Sequence, residues 1–311
     1  MGQPTTAEAP FVPYVGDQAY PAPIIIARQN PETAQMLRCV GMPHTADPLD
    51  RRYWGLAEEL VTFQDRADLL NLPAIILQEG HTRRPSDSPL DTRAAIRSPG
   101  TEQQLLADFA RTCSYTTFDA EPDGWGAYEA AEVFSIESVA LYFFMRLGPQ
   151  LHRSGAHAET DMRELVESRF AGYTMMWDAK PQFAEFDFSY ENLLQLYRKT
   201  YSKEFTVADV EFLLDETVGI EPENEPSADE SAVQQVSRLV TETRRQSFAK
   251  MYEYIWGQGI SVFGVFGEAH VRSRIITERL GALGVQAKPG SLLTNWSLDS
   301  ATGLWQSSLA D

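Results

Sequence analysis

Residues 262–267 read VFGVFG, an apolar run with no polar alternation, and Glu268, Ala269 and His270 follow it. A strand that is apolar on both faces has to be covered on both, as in the parallel sheet of an α/β protein. Its carboxyl end then opens onto the edge where the next turn and helix project polar groups, and where ligands of open parallel sheets collect. Gly267, Glu268 and His270 fall at that edge. Taken alone, His270 reads equally well as a satisfied histidine in a strand-to-helix turn.

The same device occurs earlier. Residues 35–63, QMLRCVGMPHTADPLDRRYWGLAEELVTF, run from a short apolar strand into Gly41-x-x-His44 and then into helical apolar spacing. Glycine permits a sharp turn, so a histidine three residues later can face the sheet edge. Between the motifs, Ala74 to Leu77 read as a strand delivering Glu79, Gly80 and His81 to its carboxyl end, and a strand near 115–120 ends in Glu121-Pro122. Strand, polar turn and helix thus alternate, which predicts an α/β fold with a central mixed or parallel sheet flanked by helices. Residues 1–22 read as an irregular arm and 23–30 as a first strand. Residues 23–311 read as a single domain, with a helical insertion at about 136–256 acting as a cap. The polar, proline-containing stretch 82–99 reads as a covering loop, and the acidic GIEPENEPSADES (219–231) as a solvated one.

Composition narrows the function classes. With 44 acidic against 26 basic residues the net charge is −18, so a phosphate backbone is repelled and nucleic acid is excluded as a natural partner. Two cysteines give no disulfide framework and fit a reducing compartment. No run reaches the roughly 18 residues a membrane helix needs, so the chain is expected to be soluble and cytoplasmic, with no membrane partner. A small-molecule or peptide substrate is the expected partner, and a homodimer is left open. Signatures of serine hydrolases, nucleotide hydrolases, zincins and dinucleotide-binding dehydrogenases are missing.

The order VGMPH, ILQEG, FDAEP, TETRRQSFAKMYEYI and VFGVFGEAH, spread over 35–285, resembles the TraB/GumN group, which includes the TIKI proteases, and more distantly the erythromycin esterase and ChaN families. The resemblance implies an α/β domain whose site uses the two motif histidines, His44 and His270, the strand-end Glu79, the Glu-Pro position Glu121, and Arg244 or Arg245 on the long helix. The chain departs from that pattern at His81, Arg83 and Arg84 after the Glu-Gly pair, and at Glu268. His81, Arg84 and Arg245 are therefore candidate substrate-binding residues, and Glu268 a candidate further acid or ligand.

Two imidazoles with one or two carboxylates suit a divalent metal (Mn, Co, Zn or Fe) held by His44, His270 and Glu79, with Glu268 or Glu121 taking a proton from water and Arg244 stabilising an oxyanion. A metal-free route uses His44 as general base, polarised by Glu79. Either route predicts a hydrolase of an amide, peptide or ester bond. The alternatives are a haem or small-ligand binding protein of ChaN type, or a biosynthetic tailoring enzyme performing transfer, cyclisation or dehydration. Structural roles also exist for the carboxylates: Glu79 as a helix cap or partner of Arg244, and Glu121 as a cap of the next helix.

Overall fold

The computed structural model describes residues 24–42, 52–80, 106–107, 110–111, 113–153, 159–177, 180–218, 221–222, 224–283, 296–299 and 304–307. The chain forms two compact units, residues 1–121 with 247–311, and residues 122–246.

The first unit is α/β. Its sheet holds β1 (Ile24–Gln29), β2 (Met36–Met42), β3 (Ala74–Gln78), β4 (Thr116–Asp119) and β5 (Ser261–Gly267), in the order β1-β2-β5-β3-β4. The pairs β2–β5, β5–β3 and β3–β4 are parallel, and β1 pairs antiparallel to β2, so the sheet is mixed. The antiparallel edge arises from a tight connection at 30–35, where Asn30 Oδ1 accepts from the backbone N–H of Glu32 at 2.9 Å and Ala34 sits at a φ of 61°.

Both faces of the sheet are covered, which is why β2 and β5 are buried along their whole length. On one face, α1 (Arg52–Leu69) presents Leu56, Leu60, Phe63 and Ala67 at helical spacing to Met36, Val40, Ile76, Phe263 and Val265. On the other, Phe248, Ala249, Tyr252 and Ile255 meet Leu37, Cys39, Ile75, Leu77, Val262 and Phe266. Strand alternation divides the residues: Ile76 faces α1, while Ile75 and Leu77 face away from it.

The second unit is helical. It contains α2 (Ala127–Val133), α3 (Ile136–Arg153), α4 (Glu159–Trp177), α5 (Pro181–Ala184), α6 (Tyr190–Tyr201), α7 (Val210–Thr217) and the first part of α8 (Ala232–Gly257). Every residue from Val139 to Met145 is buried, so α3 is the central helix, apolar all round. Trp177 anchors an aromatic cluster with Phe143, Phe170, Tyr173, Phe183 and Phe188, and its indole N–H donates to the Gly124 carbonyl at 3.2 Å. The aromatic side chains of this unit are thus spent on packing. This unit begins at Pro122, not at about 136, and gives way to the α/β unit at residue 246, partway along α8.

After β5 come α9 (Glu268–Arg272), α10 (Arg274–Ala282) and an antiparallel pair, β6 (Trp296–Asp299) and β7 (Leu304–Ser307). No helix among the described residues is long and apolar enough to cross a membrane.

Candidate functional site

The register of the sheet brings the two glycine motifs together. Gly41 pairs with Phe266 and Met42 with Gly267, so the strands that carry them end side by side at one carboxyl edge. β3 lies on the other side of β5, and Glu79 continues it, donating its backbone N–H to the Val265 carbonyl at 3.1 Å. Gly80 follows with a φ of 80°, a left-handed turn that glycine adopts without the strain a Cβ brings, and the chain leaves the sheet there.

Glu79 is held at both oxygens. Oε2 accepts the Gly267 N–H at 2.5 Å, and Oε1 lies 3.5 Å from His270 Nε2. Both side chains are 12% exposed, so the pair is largely removed from water without being sealed from it. The imidazole is positioned by α9, whose N-cap is Gly267, and by Phe248, whose ring meets it edge-on with centroids 5.3 Å apart. Phe248 in turn stacks on Phe266 at 4.5 Å. A strand end, a five-residue helix and an aromatic from α8 therefore fix one carboxylate–imidazole pair.

Glu268 turns to its own helix, where Arg272 Nε donates to Oε1 at 2.8 Å and Nη2 at 2.5 Å. An i,i+4 ion pair of this kind, 30% exposed at the carboxylate, accounts for Glu268 structurally. Glu121 follows the end of β4, the strand beside β3, and its backbone N–H donates to Asp119 Oδ1 at 2.9 Å in a turn that closes the strand. Its side chain is half-buried.

Arg244 and Arg245 belong to the helical unit. Arg245 is 1% exposed and pairs with Glu221 at 2.8 Å. Arg238, two helical turns earlier in α8, donates to the carbonyls of Glu221 (2.9 Å), Pro222 (3.3 Å) and Asn224 (2.7 Å) and pairs with Glu230. The acidic stretch is thus tied down by arginines, which its composition did not reveal. Arg244 is half-buried, close enough to Tyr173 for its charge to favour the phenolate, although burial still raises that phenol's pKa. His44, His81, Arg83, Arg84 and the stretch 82–99 lie outside the described residues.

The Oε1 to Nε2 separation carries chemical information. At 3.5 Å it exceeds the 2.7–3.2 Å of an N–H···O bond. Two donors each about 2.1 Å from one tetrahedral ion stand about 3.4 Å apart, so Glu79 and His270 fit as neighbouring ligands of a divalent metal. Among the described residues no three His, Cys, Asp or Glu side chains form a group that could hold an ion.

Sequence reasoning missed the Gly267 N–H and Phe248. The first is a backbone group that no residue type announces. The second was visible as an aromatic on the long helix, but helical spacing assigns such residues to core. No family model matches the chain, and neither a curated protein nor a solved structure matches it.

Proposed function

We propose that the protein is a hydrolase that cleaves an amide, peptide or ester bond with activated water at the carboxyl edge of β3 and β5. One observation carries the reading: Glu79, fixed by the Gly267 N–H, meets the imidazole of His270 at a half-open edge of a parallel array. When the 3.5 Å separation closes to a hydrogen bond in the substrate complex, the Glu79 carboxylate orients the ring and stabilises the imidazolium that forms as His270 takes a proton from water, the base-and-orienter arrangement of acyl hydrolysis. The same imidazolium returns the proton to the leaving amine or alcohol.

Glu79 and His270, joined by His44 from the neighbouring motif, are also the residues that would hold a divalent metal, Mn, Co, Zn or Fe. When bound, such an ion supplies Lewis acidity and a water of lowered pKa. The role of Glu79 then changes from orienter to ligand, while the Gly267 N–H keeps it aimed. Resemblance to the TraB/GumN group supports both versions.

The test is turnover on a panel of acyl p-nitroanilides, dipeptides, primary amides and p-nitrophenyl esters, with elemental analysis of the protein as purified. His270→Ala and Glu79→Gln are each expected to lower turnover by about 10²–10⁴-fold while the thermal midpoint stays close to that of the parent. Full turnover in Glu79→Gln would overturn the reading, because the amide keeps the Gly267 contact but removes the charge.

A further inference from the structure

Buried polar side chains in folded proteins almost always have a partner, and one beside this site does not. Gln78, the last residue of β3, is fully buried, and neither Nε2 nor Oε1 is hydrogen-bonded. The other residues of the strand are Ala74, Ile75, Ile76 and Leu77, so an apolar side chain at 78 would complete the run without the cost of an orphaned carboxamide. Alternation turns Gln78 with Ile76 to the α1 face, beside its register partner Val265 and on the face that Met42 also lines. Glu79, the next residue, turns to the opposite face. The carboxamide is closed off from solvent in the free protein, so a molecule held at the Glu79–His270 pair reaches this unclaimed donor and acceptor only by entering past the end of β3.

A carboxamide offers N–H and C=O side by side. Its complement is a group presenting acceptor and donor in the same adjacent arrangement, closing two hydrogen bonds in one ring. A primary carboxamide does so. A trans peptide group points its N–H and C=O in opposite directions, and an ester has no donor. We infer that Gln78 is the residue that recognises a primary carboxamide on the substrate. The inference rests on the hydrolase reading and narrows it to carboxamide-bearing molecules.

The test reads binding separately from catalysis. In full-length protein labelled with ¹⁵N at glutamine side chains, the Gln78 NH₂ pair is identified by its loss in Gln78→Leu. Acetamide is then titrated in, with N,N-dimethylacetamide, which lacks the donor, as control. Gln35 is the internal reference, since its Nε2 already donates to the carbonyls of Trp256 (2.9 Å) and Ile260 (2.8 Å). The Gln78 pair should shift saturably with acetamide, should not follow dimethylacetamide, and the Gln35 pair should stay still. A Gln78 pair that acetamide leaves unmoved, or that both probes move alike, overturns the inference and assigns the carboxamide to a trapped water.

Gln78→Leu should keep or raise the thermal midpoint, because it removes an unsatisfied group, and a clear fall would reveal a structural partner and overturn the inference. On a primary amide that the panel shows to be hydrolysed, the same variant should raise KM about tenfold or more with little change in kcat. Hydrolysis without a Gln78 shift defeats the inference alone. A Gln78 shift in a protein that hydrolyses nothing defeats the hydrolase reading alone.

Discussion

Single atoms decide how close α8 can approach the sheet. A Cβ built on Gly264 would stand 1.8 Å from the Tyr252 hydroxyl and 2.6 Å from its ring carbon Cζ, and Tyr252 is fully buried with its hydroxyl donating to the Arg38 carbonyl at 2.9 Å. The glycine is there to admit a phenol. Gly264→Ala is expected to destabilise the protein by about 1–3 kcal/mol or more, read as a lower urea midpoint. Tyr252→Phe in the same chain should recover part of the loss, and an additive double mutant would show that the clash is elsewhere. At this scale the sequence is informative about chemistry and silent about contacts. Glu79 and His270 stand out because a carboxylate and an imidazole each end an apolar strand. Residue type does not show that Gly267 N–H holds Glu79, that Arg245 is committed to Glu221, or that Gln78 lacks a partner, since all three depend on which distant backbone or side chain arrives opposite.

Elements were legible where their period was strong. The two runs buried on both faces were readable as interior strands, and α8 was readable as one long helix from its spacing. The antiparallel direction of β1 and the neighbouring of β2 with β5 were not, because the same apolar alternation permits either pairing. The start of α8 illustrates a local signal with a long-range role. Ser231 Oγ accepts from Gln234 N at 3.0 Å, Gln234 Oε1 accepts from Ser231 N at 2.9 Å, and the Ser231 hydroxyl donates to Glu216 Oε2 at 2.6 Å. This reciprocal cap begins a 26-residue helix and also satisfies a carboxylate that is only 7% exposed, whose Oε2 accepts from the Tyr201 hydroxyl as well, at 2.5 Å. Ser231→Ala should therefore cost about 1–2 kcal/mol, at the upper end for a cap. Ser231→Thr, which keeps the hydroxyl, should cost less in the same chemical denaturation series.

For the molecule as a whole, alkaline pH is the expected weakness. Burial raises the Cys39 thiol to about 12 and the Cys113 thiol to about 11, with Asp68 adding to the second. Burial also raises the Tyr115 and Tyr197 phenols to about 12. In the unfolded chain thiols ionise near 8.5 and phenols near 10. Because the folded values are raised, the stability these groups contribute is fully present below the unfolded values and is lost as pH climbs from about 9 towards 12. Urea midpoints should hold level from pH 7 to 8 and then fall steadily, with a shallower fall in Cys39→Ala. A midpoint independent of pH up to 11 would show that these groups do not control the transition. The strand order has a separate consequence, for synthesis. β5 is made after the other four strands of the sheet yet lies between β2 and β3. Until residues 261–267 have emerged from the ribosome, β2 and β3 each keep an open flank, although the helical unit of residues 122–246 is already complete in sequence. Translation halted before Ser261 therefore leaves a sheet without its middle strand and with two sticky flanks, and the Glu79–His270 pair assembles only after that strand has joined.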